Sequence, residues 1–111
     1  MGHQVTVLER SGGESPVARG DLLVPAAVDE LVDLGLNLHA LGGNAITGSR
    51  LWHGGRSVPV RWPDTRSSQS GGAVLRRSDL NAAVRKRAVA VGADVRLGAR
   101  DTAPTVERGF V

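Results

Sequence analysis

Apolar residues fall into short runs along the chain, separated by stretches rich in glycine, proline and serine. The first run, Val5-Thr6-Val7-Leu8, is β-branched and stops on Glu9 and Arg10. Residues 4–9 therefore read as a buried strand, broken by Ser11-Gly12-Gly13, with a loop over residues 10–20. The spacing then changes from strand-like to helical. Val28, Leu31, Val32 and Gly35 share one face at helical spacing, while Asp29, Glu30 and Asp33 lie off it. Pro25 suits the first helical position and Gly35 the position just past the end, which predicts a helix over residues 25–34.

Residues 36–45 read as a loop. Two strand-like arms, residues 46–53 and 56–62, flank Gly54-Gly55, a two-residue turn signal. They predict a hairpin in which Trp52 and Trp62 meet across the strands, with Pro59 on an edge or at a bulge. Residues 63–72 are polar and read as a flexible loop. Val74 and Leu75 begin another extended piece. Ser78 offers an N-cap hydroxyl to a second helix, whose apolar face is Leu80, Val84, Ala88 and Val91 and which Gly92 closes. Residues 93–97 read as a further strand, expected to lie parallel to residues 4–9 in one sheet. Residues 105–111 read as the first arm of a second hairpin, entering a turn at residues 107–109.

Composition narrows the classes. The chain has 111 residues, the size of one small domain, with 41% hydrophobic residues and no cysteine. Disulfides and thiol chemistry are excluded. His3, His39 and His53 lack the spacing of metal ligands. No apolar run is long enough to span a membrane, and no secretory leader pattern opens the chain. These features predict a cytoplasmic protein. The net charge is +3, with 14 basic residues against 11 acidic ones. Only 3% of residues are aromatic, so a nucleic-acid binder with stacking platforms is not expected. The run Arg85-Lys86-Arg87 reads as a solvated helix face. No G-x-S-x-G or phosphate-loop pattern occurs.

Glu9 raises the sharpest chemical question. In a dinucleotide-binding βαβ unit, a strand ends on an acid that accepts hydrogen bonds from the ribose hydroxyls. The same pattern also describes a strand ending in a solvated acid. No G-x-G-x-x-G occurs in the chain, so a phosphate loop about 20 residues before the acid would precede residue 1.

The order of the remaining pieces carries a resemblance. G2-H-Q-V-T-V-L-E-R10, A18-R-G-D-L-L-V-P-A-A-V28, V58-P-V-R-W-P63, V74-L-R-R-S-D-L-N-A-A-V84, G92-A-D-V-R-L-G98 and V106-E-R-G-F-V111 follow one another across nearly the whole chain. Together they resemble an N-proximal part of the FAD-dependent oxidoreductases of the geranylgeranyl reductase family, relatives of the flavin-dependent aromatic hydroxylases. The resemblance implies an α/β fold: a partial Rossmann-like FAD-binding domain, without its first strand and phosphate loop, carrying a β-hairpin insertion. It implies FAD as cofactor and an isoprenoid or other lipid-like substrate, and it leaves peripheral membrane contact open. Residue by residue, it places Glu9 on the adenosine ribose and Arg10 beside the adenine. Arg19-Gly20-Asp21 would approach the flavin side, Arg77 would reach the cofactor from a helix start, and the backbone near Asp101 would lie by the adenine. Where family members often show Cys-Gly-Asp-Gly-Leu-Thr-Pro, this chain has Arg19 for the Cys, Leu22 for the second Gly and Val24 for the Thr. An aliphatic residue is the more usual one at the position of Asp101. No residue is assigned as a catalytic acid or base. Weak or no FAD binding and no activity are expected of the chain alone. The rival reading is a small non-enzymatic α/β module, or a truncated remnant, that binds a partner through an exposed sheet edge.

Overall fold

The computed structural model describes residues 2–13, 18–65 and 71–101. The expected arm at residues 105–111 lies outside the described residues, as do 66–70 of the polar loop. The described elements are β1 (Thr6–Glu9), β2 (Gly20–Leu23), α1 (Pro25–Asp33), β3 (Asn44–Ile46), β4 (Gly48–His53), β5 (Arg56–Arg61), β6 (Gly72–Arg76), α2 (Arg77–Ala90) and β7 (Asp94–Leu97). The fold is thus of mixed helix and strand. The strands form three small sheets: a parallel pair β1-β7, an antiparallel sheet in the order β2-β6-β3, and the hairpin β4-β5.

The core sits on β6. Ala73 and Leu75 of this strand are buried with Val28 of α1 and Leu38 of the following loop. Leu23, Leu31, Val32, Leu36, Leu41 and Leu80 close around them. The alternation of β6 turns Ala73 and Leu75 to the same face, and α1 lies against it. β2, which starts at the end of the loop read over residues 10–20, and β3, most of which lies in the loop read over residues 36–45, are the two strands that flank β6.

Both helices end as their glycines predict. Gly35 and Gly92 take φ of 85° and 98°. Gly35 N–H donates to Val32 O and Leu36 N–H to Leu31 O, while Gly92 N–H donates to Val89 O and Ala93 N–H to Ala88 O. This is the Schellman pattern, in which a left-handed residue lets two amides satisfy orphan carbonyls. Arg87 of α2 adds a third partner at the end of α1, its Nε donating to Leu34 O at 2.6 Å. α1 starts as expected, with Pro25 at its first position, but the start of α2 differs from expectation. α2 begins at Arg77, directly from β6, with Arg76 as N-cap and no side-chain cap. Ser78 is already inside the helix, so its hydroxyl has no capping position to fill. Its expected apolar face is only partly covered: Leu80 and Ala88 are half-buried, but Val84 and Val91 are exposed. Asp29, expected off the apolar face of α1, is 5% exposed. Its Oδ1 accepts the Thr65 hydroxyl at 3.0 Å, which offsets the cost of burying the carboxylate.

The hairpin forms around Gly54-Gly55, whose φ values of 54° and 76° are those of a type I′ turn. The two tryptophans do not meet. Trp52 stands opposite Ser57, whereas Trp62 lies beyond β5, where its N–H donates to Thr47 O. A two-residue turn fixes this register, since each residue before Gly54 pairs with one equally far after Gly55. The Trp62 ring instead covers Gly72 of β6, where a Cβ would collide with it. Trp62 thereby ties the base of the hairpin to the core sheet.

β1 and β7 pair in parallel, Thr6 with Asp94 through Glu9 with Leu97. α2 precedes β7 and packs on it. The expectation that residues 4–9 are buried is corrected: every residue of β1 is exposed. Among the described residues, β1 has only β7 beside it.

Candidate functional site

The residues picked out by sequence gather in two places. The first is at the carboxyl ends of β1 and β7. Glu9 closes β1 and its Oε1 accepts the Ser11 N–H at 2.8 Å. The chain past β7 folds against this turn: Gly98 N–H donates to Ser11 O and Ala99 N–H to Glu9 O, both at 3.0 Å. Two successive main-chain bonds thus hold the Glu9–Ser11 turn beside the loop that leads to Asp101. Arg10 follows Glu9 on the exposed side of the turn. The carboxylate of Glu9 is held below the usual carboxylate range, first by the Ser11 amide and then by the Ser11 hydroxyl, with weaker help from Arg10 and Arg85. It is therefore an anion at neutral pH, exposed at the end of a parallel pair and able to accept hydrogen bonds.

The second group is at the start of α2. Arg77 Nε donates to Asp21 Oδ1 at 3.0 Å and Oδ2 at 3.1 Å, and its Nη2 approaches Oδ1 at 2.6 Å. The fork geometry follows from position. β2 runs antiparallel to β6 with Asp21 opposite Leu75, so Arg77, two residues past Leu75, reaches Asp21 diagonally across the pair. Arg77 N–H also donates to Arg19 O at 2.9 Å. The hydrogen bond from Arg77 holds the Asp21 carboxyl below its ordinary range, and Asp21 in turn raises the Arg77 guanidinium. Arg19, Gly20, Asp21 and Arg77 are thus brought together. Two of the five guanidinium N–H donors face Asp21.

Beside this pair lies an open groove of about 430 Å³, bordered by Arg19, Gly20, Asn44, Leu75 and Arg76. Asn44 and Arg76 were not singled out from sequence. Asn44 sits in β3, inside a stretch read as loop, and Arg76 shared its basic character with Arg77. No local pattern separates such residues from surface polar ones, because the β2-β6-β3 pairing that brings them together is long-range. Among the described residues, no group of three or more His, Asp or Glu is placed to hold a metal ion. No helix of the described chain is long and apolar enough to cross a membrane.

A carboxylate at the end of a parallel strand suits the two ribose hydroxyls, which are donors. The pyrophosphate needs converging backbone amides of a glycine-rich turn and helix start, and the sequence holds no G-x-G-x-x-G. An FAD at this site would therefore meet an acceptor at its adenosine end and no phosphate loop at its pyrophosphate.

Comparison with protein-family models, with curated proteins and with solved structures returned no match.

Proposed function

We propose that the chain is part of an FAD-dependent oxidoreductase resembling the geranylgeranyl reductases, with a partial Rossmann-like arrangement formed by β1, α2 and β7. The single observation that supports this most is the place of Glu9: an ionised carboxylate at the carboxyl end of β1, parallel to β7, with the Gly98–Ala99 backbone bonded across it. Ligands of open parallel sheets bind outside the carboxyl ends of the strands, so this is where an adenosine would be sought.

When bound, the flavin would supply hydride or electron transfer to an isoprenoid double bond. The residues of this chain would bind and orient. Glu9 would accept from the ribose hydroxyls. Arg10 and the backbone near Asp101 would border the adenine. Arg77, held in place by Asp21, would point its remaining donors toward anionic oxygens, with Arg19 and Gly20 alongside. The exposure of Val5, Val7, Leu8 and Leu97 adds support. Parallel sheets are normally covered on both faces, so these side chains form a surface that suits further strand and helix.

That same exposure favours a second reading, a non-enzymatic module using the β1 edge for a partner. Isotope-edited NMR with FAD separates the two. The oxidoreductase reading expects weak binding, a Kd of about 1 mM or about −4 kcal/mol, with amide shifts centred on Ser11, Gly98 and Ala99. Shifts centred elsewhere contradict it.

A further inference from the structure

We propose that the β4-β5 hairpin is a docking site for an extended acidic-apolar peptide segment of another protein, added as a third strand along the outer edge of β4. The proposal is independent of the cofactor reading.

The ribbon is asymmetric in two ways. Its faces differ. Residues directly opposite one another share a face, so Leu51, Val58 and Val60 lie on one side, with Ser49 at its base and His53 and Arg56 at the turn, while Arg50, Trp52 and Arg61 lie on the other. On the apolar side Leu51 and Val58 are 64% and 61% exposed, and on the basic side Trp52 is 71% exposed. Residues 46–62 contain three arginines and no acid. The surface charge is therefore uncompensated within the arm.

Its edges also differ. A two-residue turn makes His53 and Arg56 a pair whose main-chain groups bond to each other. The same holds at every second pair, down to the Trp62 N–H that donates to Thr47 O. The N–H and C=O groups of Gly48, Arg50 and Trp52 consequently point away from β5, to the outer edge of β4. On the other edge the corresponding positions are Ser57, Pro59 and Arg61. Pro59 has no N–H there, and it blocks a continuous ladder. No described strand pairs with either edge.

An isolated two-stranded ribbon is marginal in water, and a third strand with an apolar face is the usual remedy. The edge of β4 would supply main-chain bonds, and the two faces would specify the side chains. Alternate residues of the incoming strand would be apolar, beside Leu51 and Val58, and acidic, beside Arg50 and within reach of Arg61. A second copy of this chain fits poorly. Two β4 edges paired about a two-fold axis would bring Arg50 of one toward Arg50 of the other, and like charges across strands repel. A membrane fits less well than a strand, since it leaves the edge groups of β4 without partners in an apolar medium.

The test uses the full chain, labelled with ¹⁵N, and the synthetic peptides Val-Glu-Val-Glu-Val-Glu-Val and Val-Lys-Val-Lys-Val-Lys-Val. The Glu peptide should shift the amides of Gly48, Arg50 and Trp52 more than those of Ser49, Leu51 and His53, and should bind at least about tenfold tighter than the Lys peptide. Raising salt should narrow that difference. In the Arg50→Glu/Arg61→Glu variant the order of preference should reverse. Should that variant misfold, the peptide comparison and the salt dependence on the unmodified chain still decide. Equal affinity for both peptides, no binding, or shifts away from β4 would overturn the proposal. So would hairpin shifts seen only with phosphatidylglycerol vesicles, or self-association through β4 without peptide.

Discussion

Leu38 and Val28 are each 2% exposed, and with Ala73 and Leu75 they make up the buried apolar core of the described residues. With so few buried side chains, each counts. Leu38→Ala should lower unfolding free energy by about 2–4 kcal/mol, measured by urea denaturation, which against a total of about 5 kcal/mol leaves most of the chain folded in water but moves the urea midpoint far down. The charged residues should behave differently. Arg77 and Asp21 have side chains 47% and 21% exposed, so solvent screens them. Arg77→Met should shift the melting temperature by a few degrees at most. Its signature is in the pH dependence. Asp21 and Glu9 hold protons less readily folded than unfolded. The stability they contribute is fully present above the ordinary carboxylate range and is lost as pH falls through their lowered folded values. Asp21→Asn should therefore lower the melting temperature by a few degrees at most at neutral pH and leave it unchanged at low pH, which flattens the acid side of a melting-temperature-against-pH curve. The end position of Glu9 was legible in the sequence because a β-branched run stops on it. The Asp21–Arg77 fork was not, because 56 residues separate its members and only the β2-β6 pairing unites them.

At the level of elements, local chemistry was legible wherever it decides the outcome. Gly35 and Gly92 marked both helix ends, and Gly54-Gly55 marked the hairpin turn. β2 was missed because four residues, Gly-Asp-Leu-Leu, show no alternation and gain strand character only from β6. β3, of three residues, was missed for the same reason. The tryptophan contact failed on register. The turn type predicts a specific response to substitution. Both turn residues have positive φ, a region that asparagine tolerates and a β-branched residue does not. Gly54→Asn should raise stability by about 0.5 kcal/mol, mainly by restricting the unfolded chain, whereas Gly54→Val should lower it by at least about 1 kcal/mol. Cross-strand NOEs between Leu51 and Val58 would report loss of the hairpin in the valine variant.

The described residues form an extended rather than a compact body. Its radius of gyration is 18.3 Å, against about 13 Å for a compact chain of this size. Of the three small sheets described, β2-β6-β3 holds the modest core, and the parallel pair lies with its apolar residues exposed. A surface of that kind, with Glu9 at its carboxyl end, is what the proposed cofactor role rests on. The most direct measurement is titration of the ¹⁵N-labelled chain with FAD, and in parallel of its Glu9→Ala variant, followed by amide shifts and flavin fluorescence. Weak binding is predicted, with a Kd of about 1 mM, shifts at Ser11, Gly98 and Ala99, and loss of those shifts in the variant. Shifts that survive Glu9→Ala unchanged would contradict the ribose role. Stoichiometric binding at about 1 μM or tighter, without a glycine-rich phosphate loop, would contradict the proposal that this chain holds only the adenosine end.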